Sequence, residues 1–353
     1  MAPAANKEAR DGNVERPPAP GLSRWLLTAI GPVILLVILA SIDVGELGRL
    51  LSGASAGYWV LGYLAAIPAI LLRVIRLQLV LGPEVGRPRF VDVLHVYCYA
   101  NFVGSVTPGR LGEFIKLLHL TRWGASSGSA LATVLLERIP DVMFFLIVGA
   151  IALGLLAFPE MGGTTEVVLI AAAPLAGIGL FWFLLFGPGT RGALRVLAVV
   201  TRRRFAEKVA AMRAGFVEAV AGIGRSTVAI VLVLTVLAWA VNYLSNYLFA
   251  VSLDLKISYL ELAGISAICS LIAFLPISIL GAGTRDAALI VMLAHYDASE
   301  AEAVALSTLL LSFLAFNALL CSYSLATPAA RIVRQAKPRK APDDVDPRSG
   351  VVR

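Results

Sequence analysis

Between residues 25 and 327 the chain is a succession of apolar stretches, separated by short polar or glycine- and proline-bearing segments. Each stretch runs about 18 to 30 residues, and at 1.5 Å per residue a helix of that length crosses a hydrocarbon layer about 30 Å thick. In lipid every backbone N–H and C=O must find a partner inside the protein, which leaves helices as the natural spanning element here. The expected fold class is therefore all-α, a polytopic membrane protein. Composition agrees, since 58% of residues are hydrophobic and only 15% charged, against about 25% charged in soluble domains. The polar segments are too short to enclose cores of their own, so no soluble domain is expected.

Basic residues near helix ends orient such a chain, because lysine- and arginine-rich loops stay cytoplasmic. They cluster in the N-terminal tail (Arg16, Arg24), in the connector (Arg191, Arg195, Arg202, Arg203, Arg204, Lys208, Arg213, Arg225) and in the C-terminal tail (Arg331, Arg334, Lys337, Arg339, Lys340). This divides the sequence into a disordered cytoplasmic tail (1–22), a first membrane half (23–187), a basic amphipathic cytoplasmic connector (188–225), a second membrane half (226–330) and a basic cytoplasmic tail (331–353). Arg202, Arg203 and Arg204 are expected to lie on an anionic lipid surface. A net charge of +7 suits the inner leaflet of a bacterial-type inner membrane, with both termini cytoplasmic.

Smaller loops refine the path. Residues 82–89 hold Arg87 and Arg89, and residues 116–122 hold Lys116, His119 and Arg122; both read as cytoplasmic. The intervening segment then enters and leaves on one side, as a re-entrant hairpin near 91–120. A second hairpin is expected near 259–295. With residues 25–42, 58–81, 129–158, 167–186, 227–253 and 304–327 as full crossings, the count is about six transmembrane helices plus two hairpins, or about eight hydrophobic segments. The hairpins face opposite ways, the pattern of an inverted repeat with its substrate site near the bilayer midplane.

Each hairpin carries an arginine and an acid beside a helix break. The first reads Thr-Pro-Gly-Arg-Leu-Gly-Glu over residues 107–113, and the second reads Gly-Ala-Gly-Thr-Arg-Asp over residues 281–286. A charge at the centre of a spanning helix costs about 2.5 to 3.5 kcal/mol, so two such pairs point to function. Pro108, Gly109 and Gly112, and likewise Pro276, Gly281 and Gly283, interrupt helical hydrogen bonding. A helix that began at such a break would aim its positive dipole end and Arg110 or Arg285 at one spot, an arrangement that binds phosphate. Glu113 and Asp286 would hold those guanidiniums or take a proton. The competing reading is that each Arg–acid pair neutralises itself and pins its loop.

Glu137, Arg138 and Asp141 lie inside about 30 otherwise apolar residues, with Glu137 and Asp141 four apart on one face. They either face the hairpin arginines deep in the membrane or sit at the cytoplasmic end of their helix. Arg73 and Arg76 share a helix face, and their leading reading is snorkelling to the interface; the alternative is a vestibule for lipid head groups. Asn101, Asn242 and Asn246 read as interhelical hydrogen-bonding groups. Cys98, Cys269 and Cys321 read as small core residues. The three histidines are scattered, so neither a metal site nor a cofactor is expected.

With these residues in view, the chain resembles the lysylphosphatidylglycerol synthase transmembrane-region family of flippase-like membrane proteins, over most of its length from about residue 25 to residue 330. The resemblance rests on Asn101 with Pro108-Gly109-Arg110-Leu111-Gly112-Glu113, on Ala132-Thr133-Val134-Leu135-Leu136-Glu137-Arg138 with Asp141, and on Pro276-Ile277-Ser278 leading to Gly281, Gly283, Arg285 and Asp286. Relatives commonly have a Gly-Gly pair and Arg-Glu in the last motif, where this chain has Gly281-Ala282 and Arg285-Asp286. The resemblance implies movement of lipids with large polar heads between leaflets. Some members add a soluble aminoacyl-transferase domain; the sequence to Arg353 has none, so synthase activity is not expected. The expected partners are membrane lipids, anionic or polyprenyl-linked, with a separate lipid synthase or transferase as a further candidate and no nucleic acid. Two other functions fit the same residues: a membrane-embedded lipid or glycosyl transferase with Glu113 or Glu137 as base, and a solute or ion secondary transporter.

Overall fold

The computed structural model describes residues 44–157, 203–274 and 283–330. The first expected crossing (25–42), the fourth (167–186), both tails, Arg202, and the second break with Pro276 and Gly281 lie outside the described residues. Those residues form helices α1 (Val44–Gly53), α2 (Ala56–Leu64), α3 (Ala66–Leu79), α4 (Phe90–Ser105), α5 (Lys116–Arg122), α6 (Ser127–Ala157), α7 (Arg203–Ala221), α8 (Arg225–Ser252), α9 (Tyr259–Phe274), α10 (Thr284–Leu293) and α11 (Glu300–Ser322), with short 3₁₀ turns between some of them. The described residues contain no strand, as the length and continuity of the apolar runs dictate.

Among the described residues three helical units are long and apolar enough to cross a membrane: Ala56–Leu79, Arg225–Ser252 and Glu300–Ala326. Their outer faces carry large apolar side chains in the open, among them Val60, Leu61 and Leu64 on α2, Val233 and Val236 on α8, and Leu319 on α11. Exposed apolar area on this scale is a lipid-facing surface. The protein is an all-helical integral membrane protein.

Local sequence sets where the helices break and start. The unit 56–79 is interrupted at Ala65, one turn before Pro68, whose missing N–H leaves the Leu64 carbonyl without its helical donor. By contrast α6 continues for 31 residues through Pro140. Capping boxes open two helices: Ser299 and Glu302 bond each other's backbone N–H at 3.2 and 2.8 Å before α11, and Ser258 with Glu261 does the same before α9.

The two halves follow one plan. In the first, α3 leads to α4, a break, the short α5 and the long α6; in the second, α8 leads to α9, the short α10 and the long α11, with residues 275–282 outside the described part. The packing is exchanged, since α4 lies against α11 and α9 lies against α6, while α3 and α8 pack on each other. Gly264 of α9 sits so close to α6 that an added Cβ would stand 2.4 Å from the Ala152 Cβ. The later part of the basic connector, α7, is docked on α6 through buried Phe216, and Gly128 faces the Met212 carbonyl.

Candidate functional site

The break after α4 is a left-handed step. Gly109 and Arg110 have φ of 58° and 56°, a conformation that glycine adopts freely and that costs arginine about 1 to 2 kcal/mol. Residues Pro108–Ile115 then wind as a 3₁₀ turn back along α4. That return is tight: a Cβ on Gly112 would stand 2.5 Å from the Val103 carbonyl oxygen, and one on Gly104 would stand 2.4 Å from Glu113 Cγ. The Gly112 N–H donates to Thr107 Oγ1 at 2.8 Å. The regular helix expected to start at the break begins only at Lys116, because the left-handed pair intervenes.

Arg110 is thereby turned toward the protein interior. Its Nη2 donates to Asn101 Oδ1 at 2.7 Å, and its Nε lies 3.1 Å from Glu113 Oε1. Glu113 is shared, with the Arg138 guanidinium also in contact with it and Lys116 Nζ at 3.6 Å. Lys116 itself pairs with Glu137 at 2.7 Å, both side chains 1% exposed. Glu137 thus faces Lys116, not the hairpin arginines. Lys116 and His119, expected in a cytoplasmic loop, are buried; His119 contacts the Ala329 and Ile115 carbonyls at 2.8 and 3.1 Å.

The second break behaves differently. Gly283 has φ 84°, and its N–H donates to Asp286 Oδ2 at 2.9 Å. Asp286 therefore occupies the helix start that a phosphate was expected to use. Its other oxygen accepts from Arg285 Nε at 2.9 Å. Arg285 and Asp286 are thus paired with each other, while Arg285 also lines the cavity described below.

Two arginines expected to snorkel do not reach an interface. Arg76 is buried, donates to Asp141 Oδ1 and Oδ2 at 2.6 and 3.0 Å, and donates to Thr235 Oγ1 at 2.8 Å. Trp239 Nε1 donates to the same carboxylate at 2.8 Å. Arg73 stacks over the Trp239 ring, 4.4 Å from its centroid, and has no carboxylate partner among the described residues. Snorkelling was the natural reading because a helix sequence does not reveal that an acid 65 positions away lies opposite.

These groups surround a cavity of about 140 Å³, lined among the described residues by Arg73, Arg76, Arg110, Arg138 and Arg285 and by two carboxylates, Glu113 and Asp141. Both breaks thus contribute an arginine to the same space. Asn242, Asn246 and Asn317 add polar groups, and Leu289, Leu310 and Phe313 supply an apolar wall. On α8, Thr235, Trp239, Asn242 and Asn246 recur at helical spacing, a polar stripe in an apolar helix that could have been read from the sequence. Arg203 and Arg204 open α7, remote in the chain from this cluster.

A family model described as lysylphosphatidylglycerol synthase TM region matches residues 25–321. The chain belongs to this family. The match takes in every residue of the cavity and nearly all of the membrane region, and it ties the protein to membrane lipids. A comparison with curated proteins returned no match.

Proposed function

We propose that this member of the lysylphosphatidylglycerol synthase TM region family is a flippase-like translocase. Its cargo is a lipid with an anionic head group, carried between the leaflets of a bacterial-type inner membrane. One observation carries the reading: a small cavity lined by five arginines and two carboxylates holds positive charge that invites an anion from the lipid surface. Cavities that enclose a whole small ligand are about 300 Å³ or more, so about 140 Å³ suits a head group whose acyl chains stay outside in lipid.

In this reading the breaks after α4 and α9 are the tips of two re-entrant hairpins, and the exchanged packing of α4 on α11 and α9 on α6 reflects an inverted repeat. Rocking of one half against the other would open the arginines first to one leaflet and then to the other. Arg110 binds the head group from the first half, and Arg285, paired with Asp286, lines the opposite wall of the site. Glu113, Arg138, Asp141 and Asp286 keep the arginine cluster together when the site is empty, and Glu137 neutralises Lys116 beside it.

The test is transport by purified protein in liposomes carrying acyl-labelled fluorescent phosphatidylglycerol or phosphatidic acid, read by quenching from the outside. Wild type exposes the inner-leaflet pool, and folded Arg110→Ala does not. Equal rates for the two would contradict the proposal.

A further inference from the structure

Resting on the anionic-lipid reading, the charge inventory of the cavity goes one step further. The cluster contains six cations, Arg73, Arg76, Arg110, Lys116, Arg138 and Arg285, and four carboxylates, Glu113, Glu137, Asp141 and Asp286. Four pairs are close: Arg76 with Asp141, Lys116 with Glu137, Arg138 with Glu113, and Arg285 with Asp286. Among the described residues the unmatched cations are then Arg73, which rests on the Trp239 face, and Arg110, which shares Glu113 with Arg138 and Lys116. The undescribed residues between α9 and Gly283 contain no ionisable side chain, so they do not alter this balance.

We infer that the site is matched to a dianionic phosphate, a phosphomonoester or diphosphate head, in preference to the single charge of a phosphodiester. Two uncompensated guanidiniums from separate elements, α3 and the first break, converge on the cavity, and each presents a fork suited to phosphate oxygens. Arg110 is held in place by Asn101 and is more open than Arg138, with 29% of its side chain exposed against 19%. A monoanion would satisfy one of the two and leave the other charge uncompensated in a low-dielectric site.

Binding to the purified full chain in neutral detergent, measured by calorimetry, tests this with three probes: dihexanoyl phosphatidic acid, dihexanoyl phosphatidylglycerol and inorganic phosphate. The expected result is that phosphatidic acid binds about tenfold or more tightly than phosphatidylglycerol at pH 8. The preference should shrink toward pH 5, where the monoester, with a second pKa of about 6, loses its second charge. Arg73→Gln should bring the two lipids to similar affinity, and Arg73→Lys should restore the difference. Equal binding of both lipids to wild type would overturn the dianion while leaving the anionic-lipid reading standing. Failure of all three probes to bind would overturn both. Inorganic phosphate binding as tightly as phosphatidic acid would keep the dianion and overturn the lipid as its source.

Discussion

Arg76 and Asp141 meet end to end, Nη1 donating to Oδ1 at 2.6 Å and Nη2 to Oδ2 at 3.0 Å, with side chains 2% and 3% exposed. The pair ties α3 to α6, and Thr235 and Trp239 draw α8 into the same contact. Removing one partner leaves an uncompensated buried charge, a change that costs about 3 to 5 kcal/mol. Asp141→Asn should therefore lower the unfolding midpoint of the purified protein strongly, and the double variant Arg76→Met, Asp141→Leu should recover part of the loss. The recovery is partial because Trp239 Nε1 loses its acceptor in the double variant.

Lys116 and Glu137 form the second buried pair, and Glu113 links it to the arginines. A double-mutant cycle with Lys116→Met and Glu137→Gln should give a coupling of about 1 to 3 kcal/mol by thermal unfolding. Additive effects would mean the two side chains do not sense each other.

Gly112 is fixed by space, not only by flexibility. Gly112→Ala drives a methyl group into the Val103 carbonyl, displacing the 3₁₀ return that aims Arg110. The expected loss is about 1 to 3 kcal/mol of stability, with lipid transport falling alongside. Gly48→Ala on α1, where no atom lies within 4 Å of the added methyl, should leave transport unchanged and stabilise slightly.

Ser299 caps α11 and is bonded both ways with Glu302. Ser299→Ala should cost about 1 kcal/mol, seen as faster hydrogen exchange in the first turn of α11 while the cavity binds lipid as before.

The helical membrane architecture was legible because apolar run length is a local property, and the break at Pro108 and Gly109 was legible because proline and glycine act on their own backbone. Arg110, Glu113 and Arg285 stood out in sequence as charges beside helix breakers in an apolar context, and Asn101 as a polar group within a span. What escaped was long-range pairing. Arg73 and Arg76 looked like snorkelling residues, and Lys116 looked like a loop charge, because their partners Trp239, Asp141 and Glu137 come from other helices. The Ser258–Glu261 and Ser299–Glu302 capping boxes were readable in sequence and passed over. The Asp286 cap at Gly283 was harder to foresee, since an acid at that spacing serves equally to close a helix start or to balance Arg285.

Whether the arginines lining the cavity hold an anionic lipid is decided by purifying wild type and the Arg110→Ala, Arg285→Ala double variant from the same membranes and identifying bound lipid by native mass spectrometry. The account predicts an anionic lipid retained by wild type and lost from a folded double variant. The same mixture of lipids on both proteins would contradict it and leave the arginines a structural role.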